Sequence, residues 1–133
     1  MSSFPYVEID DDKPAIPATK IYFVNFDKPE KMTFNDCGIL DTGSDITVVP
    51  MSLVSNLKAR SIKAETSSFK LLGEIAVGVP FFVKLSFDNS HFIKSKVFAV
   101  PDKVLNGEVI IGRNVLNRYV ITFDGVNKIF TIH

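Results

Sequence analysis

A chain of 133 residues, 46% apolar and 23% charged, is long enough to bury the core of one domain and too short for two lobes. Its 15 basic and 15 acidic side chains cancel, and no Lys/Arg stripe interrupts the balance, so the electrostatic footprint of a nucleic-acid binder is missing. Cys37 is the only cysteine, which excludes an internal disulfide, and the chain lacks the four Cys or His ligands of structural zinc.

The N-terminal stretch "MSSFPYVEIDDDKP" has no basic region followed by an apolar one, and no later segment approaches the roughly 18 apolar residues of a membrane helix. No membrane partner is expected. The expected location is the cytoplasm, or a soluble domain released from a larger precursor. Residues 1–19, with "DDDKPAIPA", read as an exposed arm ahead of a domain spanning 20–133.

"KIYFVNF" and "MTFNDCGIL" are rich in β-branched and aromatic residues and flank the turn-forming "DKPE", which predicts a hairpin. "MSLVSNLKAR" places Leu53, Val54 and Leu57 at helical spacing behind Pro50. "SIKAETSSFKLL", polar at its centre, predicts an exposed hairpin. "EIAVGVPFFVKLSF" and "HFIKSKVFAVP" flank the turn "DNS", and "VIIG" begins another buried strand. Val115, Leu116 and Tyr119 share a short helical face, after which "VITF", "DGVN" and "KIFTIH" predict a closing hairpin. The class is all-β with one or two short helices.

"ILDTGSDITVVP" places a carboxylate, a hydroxyl and a glycine between two apolar runs. An isolated charge at the end of a buried strand is costly, so Asp41 needs a reason to be there. Taken alone, Asp41-Thr42-Gly43 reads as a turn in which Asp caps a backbone N–H. Downstream, "VIIGRNVL" repeats the theme of an apolar strand ending on glycine before a helix.

With these two motifs the chain resembles the retropepsin-like aspartic proteases, from about Lys20 to the C-terminus. In "NVLNRYVITFDG" the resemblance leans toward bacterial members. It implies a closed-barrel-like retropepsin fold that is active as a two-fold homodimer. The resemblance makes Asp41 catalytic, gives the Thr42 hydroxyl a hydrogen bond across the dimer interface, and lets backbone approach the carboxylate at Gly43. Asp45 matches an acid that holds substrate backbone, Arg113 the arginine that pairs with it and braces the loop, and Gly112 the glycine packed beneath that loop. A flap hairpin is implied over residues 61–72, with its tip at Glu65, Thr66, Ser67 and Ser68. No metal or organic cofactor is implied.

The chemistry accounts for the residue types independently. Peptide hydrolysis by carboxylates needs one ionised group to deprotonate water and one protonated group to polarise the scissile carbonyl. Two carboxylates about 3 Å apart share a proton because both cannot ionise together. The chain holds one Asp-Thr-Gly and no Asp-Ser-Gly, and Asp124-Gly125 lacks the intervening Thr. The second carboxylate must come from another copy.

The expected function is therefore a homodimeric aspartic endopeptidase acting on extended polypeptides with apolar side chains. The rival expectation is a catalytically silent retropepsin-like module that dimerises and binds peptides; a β-sandwich binding domain with a fortuitous turn is a third. His91 and His133 read as surface residues and Cys37 as a small buried hydrophobe. Ser44 has no base to activate it and reads as a hydrogen-bond donor to the Asp41 carboxylate.

Overall fold

The computed structural model describes residues 1–62, 67–71 and 74–133, with the backbone alone for 67–71 and 74. Strands β1 (Ser2–Pro5), β2 (Ala18–Asn25), β3 (Met32–Leu40) and β4 (Thr47–Pro50) precede helix α1 (Met51–Asn56). Strands β5 (Ser67–Leu71), β6 (Glu74–Ser86) and β7 (Ile93–Val100) follow, then α2 (Asp102–Leu105), β8 (Val109–Ile111), α3 (Arg113–Leu116), β9 (Ile121–Asp124) and β10 (Ile129–Ile132).

The main sheet runs β2-β3-β8-β4-β7-β6-β5, and β2 also pairs with β6. That extra pairing closes six strands into a barrel and leaves β5 outside it. The hairpins β2–β3, β6–β7 and β9–β10 follow the expected alternation and turn chemistry. Asn25 locks the first of them: its amide donates to the Leu57 and Lys58 carbonyls, and its oxygen accepts the Asp27 and Lys28 N–H groups. A buried amide with all these partners costs little and ties the turn to the end of α1.

Inside the barrel, Ile21, Phe23, Val49, Val83, Leu85, Val97 and Ile111 pack with Leu53, Val54 and Leu57 of α1 and its C-cap. The apolar spacing behind Pro50 is thus spent on one buried helical face. The turn between β6 and β7 is organised by Asp88, which accepts N–H groups from Ser90 and His91. Those backbone bonds, with the His91 ring and the Ser86 hydroxyl, hold its carboxyl far below the usual range.

Two expectations are corrected. Residues 1–19 are not a detached arm. β1 pairs antiparallel with β10, Phe4 stacks on Phe130 at 5.1 Å, and Val7 bridges Ile16, so the segment is tied to the body although the run 7–14 within it is exposed. The cause is the apolar face of β10, which needs a cover at Phe130 that Phe4 supplies. The hairpin expected over 61–72 is also displaced. Ser67 and Ser68 lie along β5, paired with Gly78 and Val77, and the β5–β6 register ends with Leu71 opposite Glu74. Ser67 and Ser68 are therefore members of a paired strand rather than a hairpin tip. Glu65 and Thr66 lie outside the described residues.

Candidate active site

Asp41 follows the last residue of β3, and Thr47 opens β4 five residues beyond Thr42. These two strands do not pair with each other. β8 lies between them, parallel to β3 through Leu40↔Ile111 and antiparallel to β4 through Val48↔Ile110. The loop 41–46 therefore has to cross the end of β8, and the ladder fixes where it starts: the Asp41 N–H donates to the Ile111 carbonyl at 2.9 Å.

The loop then folds on itself. The Gly43 N–H donates to Asp41 Oδ1 at 2.9 Å, and the Ser44 N–H to the Asp41 carbonyl at 3.2 Å. A Cβ on Gly43 would stand 3.1 Å from that same carboxylate oxygen, so glycine lets the backbone approach the acid. Ser44 does not bond the carboxylate, as its sequence setting suggests; its hydroxyl donates to the Ile46 carbonyl at 2.7 Å. Asp41 is half-buried and has no ion-pair partner among the described residues.

The segment after β8 clamps the loop from below. The Arg113 N–H donates to the Ser44 carbonyl at 2.7 Å, and its Nη1 donates to the Thr42 carbonyl at 2.6 Å. Arg113 makes no ion pair with Asp45 within the chain, since none of the salt bridges among the described residues joins them. Bracing runs through loop carbonyls instead, which the fixed guanidinium fork reaches directly. Gly112 sits directly under Ile46: a Cβ there would collide with the Ile46 carbonyl oxygen and lie 2.5 Å from its carbonyl carbon and 2.9 Å from its nitrogen.

Sequence reading missed one part of this clamp. Thr47 is buried, its hydroxyl accepting the Gly112 N–H at 3.1 Å and donating to Asn114 Oδ1 at 2.8 Å. Asn114 in turn donates to the Lys96 carbonyl at 2.9 Å, so the start of β4, α3 and β7 are joined by one chain of bonds. The only sequence signal is a lone hydroxyl heading the apolar run "TVVP". We expect Thr47→Val, which keeps shape but orphans the buried Gly112 N–H, to lower stability by about 1–3 kcal/mol. Urea unfolding with an unchanged m value is the check.

Other candidate groups lie elsewhere. Burial pushes the Cys37 thiol up, with the Glu108 and Asp36 carboxylates adding to the effect, so it is a protonated thiol and a poor nucleophile at neutral pH. His91 bonds Asp88 and His133 bonds Thr122, both exposed. A cleft of about 410 Å³ is lined by Asn25, Phe26 and Arg60, at the end of β2 away from Asp41. Among the described residues no cluster of three metal-ligating side chains occurs, and no helix is long and apolar enough to cross a membrane.

No protein-family model and no curated protein matches this chain. Among solved structures, the EIAV protease complexed with the inhibitor HBY-793 matches with a TM-score of 0.55 at 20% identity, covering 84% of this chain and 93% of that one. The fold is a retropepsin fold. At that identity the likeness carries the architecture alone, and because it is to a retroviral enzyme it lends nothing to the bacterial leaning of "NVLNRYVITFDG". In this retropepsin fold the six-strand barrel carries the Asp-Thr-Gly loop at the junction of β3, β8 and β4.

Proposed function

We propose that the protein is an aspartic endopeptidase that works as a two-fold homodimer, with Asp41 of each copy forming one catalytic pair. The observation that carries this reading is the Asp41 loop. A half-buried carboxylate with no cation partner among the described residues is held by a Gly43 N–H, on a loop that Arg113 and Gly112 fix from below. Such rigidity is expensive for a simple turn and suited to a group that must meet a second carboxylate within about 3 Å.

In this mechanism one Asp41 takes a proton from water while the other, protonated, hydrogen-bonds the scissile carbonyl and then donates to the leaving amine. Thr42 and Gly43 are exposed beside the acid, where a two-fold mate and substrate backbone can reach them. Ser44 and Asp45 continue the rim of the site, with Asp45 exposed and not consumed by Arg113. An extended polypeptide would lie between the copies as an added strand, its apolar side chains alternating into pockets on either side. The β5–β6 hairpin, with Ser67 and Ser68 on its first strand, is the element proposed to close over it.

No cofactor enters this chemistry. The alternative, a silent dimerising module, would keep the fold but has no use for a bare, half-buried carboxylate. A peptide-library digest with and without pepstatin separates the two: apolar-site cleavage blocked by pepstatin is expected, and no cleavage at any enzyme concentration and pH contradicts the proposal.

A further inference from the structure

The charge of this chain is balanced only as a sum. Lys28, Lys31, Lys58 and Arg60 line the cleft of about 410 Å³ at the far end of β2, and among the described lining residues Asp27 is the one acid. Asp27 is engaged by Arg60 at 3.4 Å, and among the described residues none of Lys28, Lys31 and Lys58 has an ion-pair partner. Two further cations stand at the aromatic wall of the cleft. Lys94 Nζ is 4.9 Å from the centre of the Phe26 ring and 4.6 Å from that of Phe82, and Lys84 Nζ is 5.5 Å from Phe26. By contrast, Glu8, Asp10, Asp11 and Asp12 gather in the exposed run 7–14, which takes no part in the cleft.

These cations are far apart in sequence, and the fold collects them. Asn25 bonds the Leu57 and Lys58 carbonyls and the Asp27 and Lys28 N–H groups, so the turn after β2 and the segment after α1 are fixed against each other. The Asn25 N–H donates to the Lys31 carbonyl, and the Ile62 N–H to the Pro80 carbonyl, which ties the same segment to β6. Walls held by backbone bonds are set before a ligand arrives, so binding costs little ordering. Like charges gathered in one cleft repel, and an anionic ligand relieves that repulsion.

We infer that this cleft is a second polypeptide-binding site, which takes an acidic stretch of the chain that is cleaved. The inference rests on the proposed function in one respect, that the ligand is a substrate. The chemistry selects the class. Carboxylates match the lysines and Arg60, and apolar neighbours of those carboxylates match Phe26 and Phe82, the latter 40% exposed. A nucleic-acid strand needs open ring faces on which its bases stack, and here Lys84 and Lys94 stand over those faces. The strand register sets the spacing. Ala18 pairs with Ile39, just before Asp41, and Asn25 ends the same strand, so at about 3.3 Å per residue the cleft lies roughly 20 Å from the catalytic loop. An extended substrate needs about seven residues or more to cover that distance, which puts its acidic stretch outside the segment held between the copies.

The test titrates the full chain, by calorimetry, with a short peptide of alternating Asp and Leu and with single-stranded oligothymidylate of similar charge. Saturable binding of the peptide is expected, weakening as salt rises. Lys28→Gln, Lys31→Gln and Lys58→Gln made together are expected to keep the wild-type circular dichroism and raise the Kd of the peptide by about 10-fold or more. Lys13→Gln, Lys103→Gln and Lys128→Gln, which remove the same charge away from the cleft, are expected to leave it unchanged. No peptide binding by the wild type, equal binding by the two triple variants, or tighter binding of the oligonucleotide overturns the acidic-peptide site. In the peptidase assay, an Asp-Leu block joined about ten residues from a scissile bond should lower KM by about 10-fold at unchanged kcat, in the wild type and not in the cleft variant. An unchanged KM overturns the substrate role. The chemistry is judged separately: a wild type that binds the peptide through the cleft but cleaves nothing leaves the binding site standing and sinks the peptidase reading.

Discussion

Asp41→Asn protein is expected to fold and dimerise like the wild type and to lose about four orders of magnitude in turnover, the scale of a missing acid–base group. The amide oxygen still accepts the Gly43 N–H that closes the loop, so the local structure has no reason to change. What it cannot do is take a proton from water. Asp41→Ala is a useful contrast because it removes that acceptor as well, and it should lower thermal stability where Asn does not. Equal turnover by purified Asp41→Asn protein would remove the carboxylate from the mechanism.

The second large effect is structural. Gly112→Ala drives a methyl group into the Ile46 backbone, with main chain rather than a flexible side chain in the way. Gly112 has extended dihedrals that any residue adopts, so the cost comes wholly from this close approach. Either Ile46 moves, dragging the loop 41–46 off the Thr47 and Arg113 anchors, or the chain unfolds. We expect a loss of about 3 kcal/mol or more, which for a chain of this size lowers Tm by roughly 10 °C. Differential scanning calorimetry decides: a Tm within about 2 °C of wild type would mean that the loop and β8 are not packed as described.

These two residues also show what the sequence makes legible. The hairpins were readable because alternation and turn residues are local, and each strand carries its own pattern. α1 was readable for the same reason, from Pro50 and the spacing of Leu53, Val54 and Leu57. Nothing local says that β8 lies between β3 and β4, with about 70 residues of chain intervening; the pairing of "ILDTGSD" with "VIIGRNVL" came from resemblance, and the Ile46–Gly112 contact follows only from the topology. β1 escaped notice because four residues ending in proline show no periodicity, and its reason for pairing, the uncovered Phe130, is 126 residues away along the chain. α2 is a single turn behind Pro101 and too short to leave a pattern. The Asp45–Arg113 pairing was imported with the resemblance, whereas in this chain the guanidinium reaches the Thr42 carbonyl first.

The central claim is that one chain holds half an active site. It is tested most directly by measuring specific activity against enzyme concentration, with sedimentation following dimer content in the same samples. Mass action supplies the second Asp41, so the rate per mole should fall with the dimer fraction as the enzyme is diluted. At concentrations where the dimer is saturated, the rate should trace a bell against pH, because catalysis needs the singly protonated pair and both limbs belong to the pair. A rate per mole that holds constant into the monomeric range would show that a single Asp41 suffices and would contradict the two-carboxylate account.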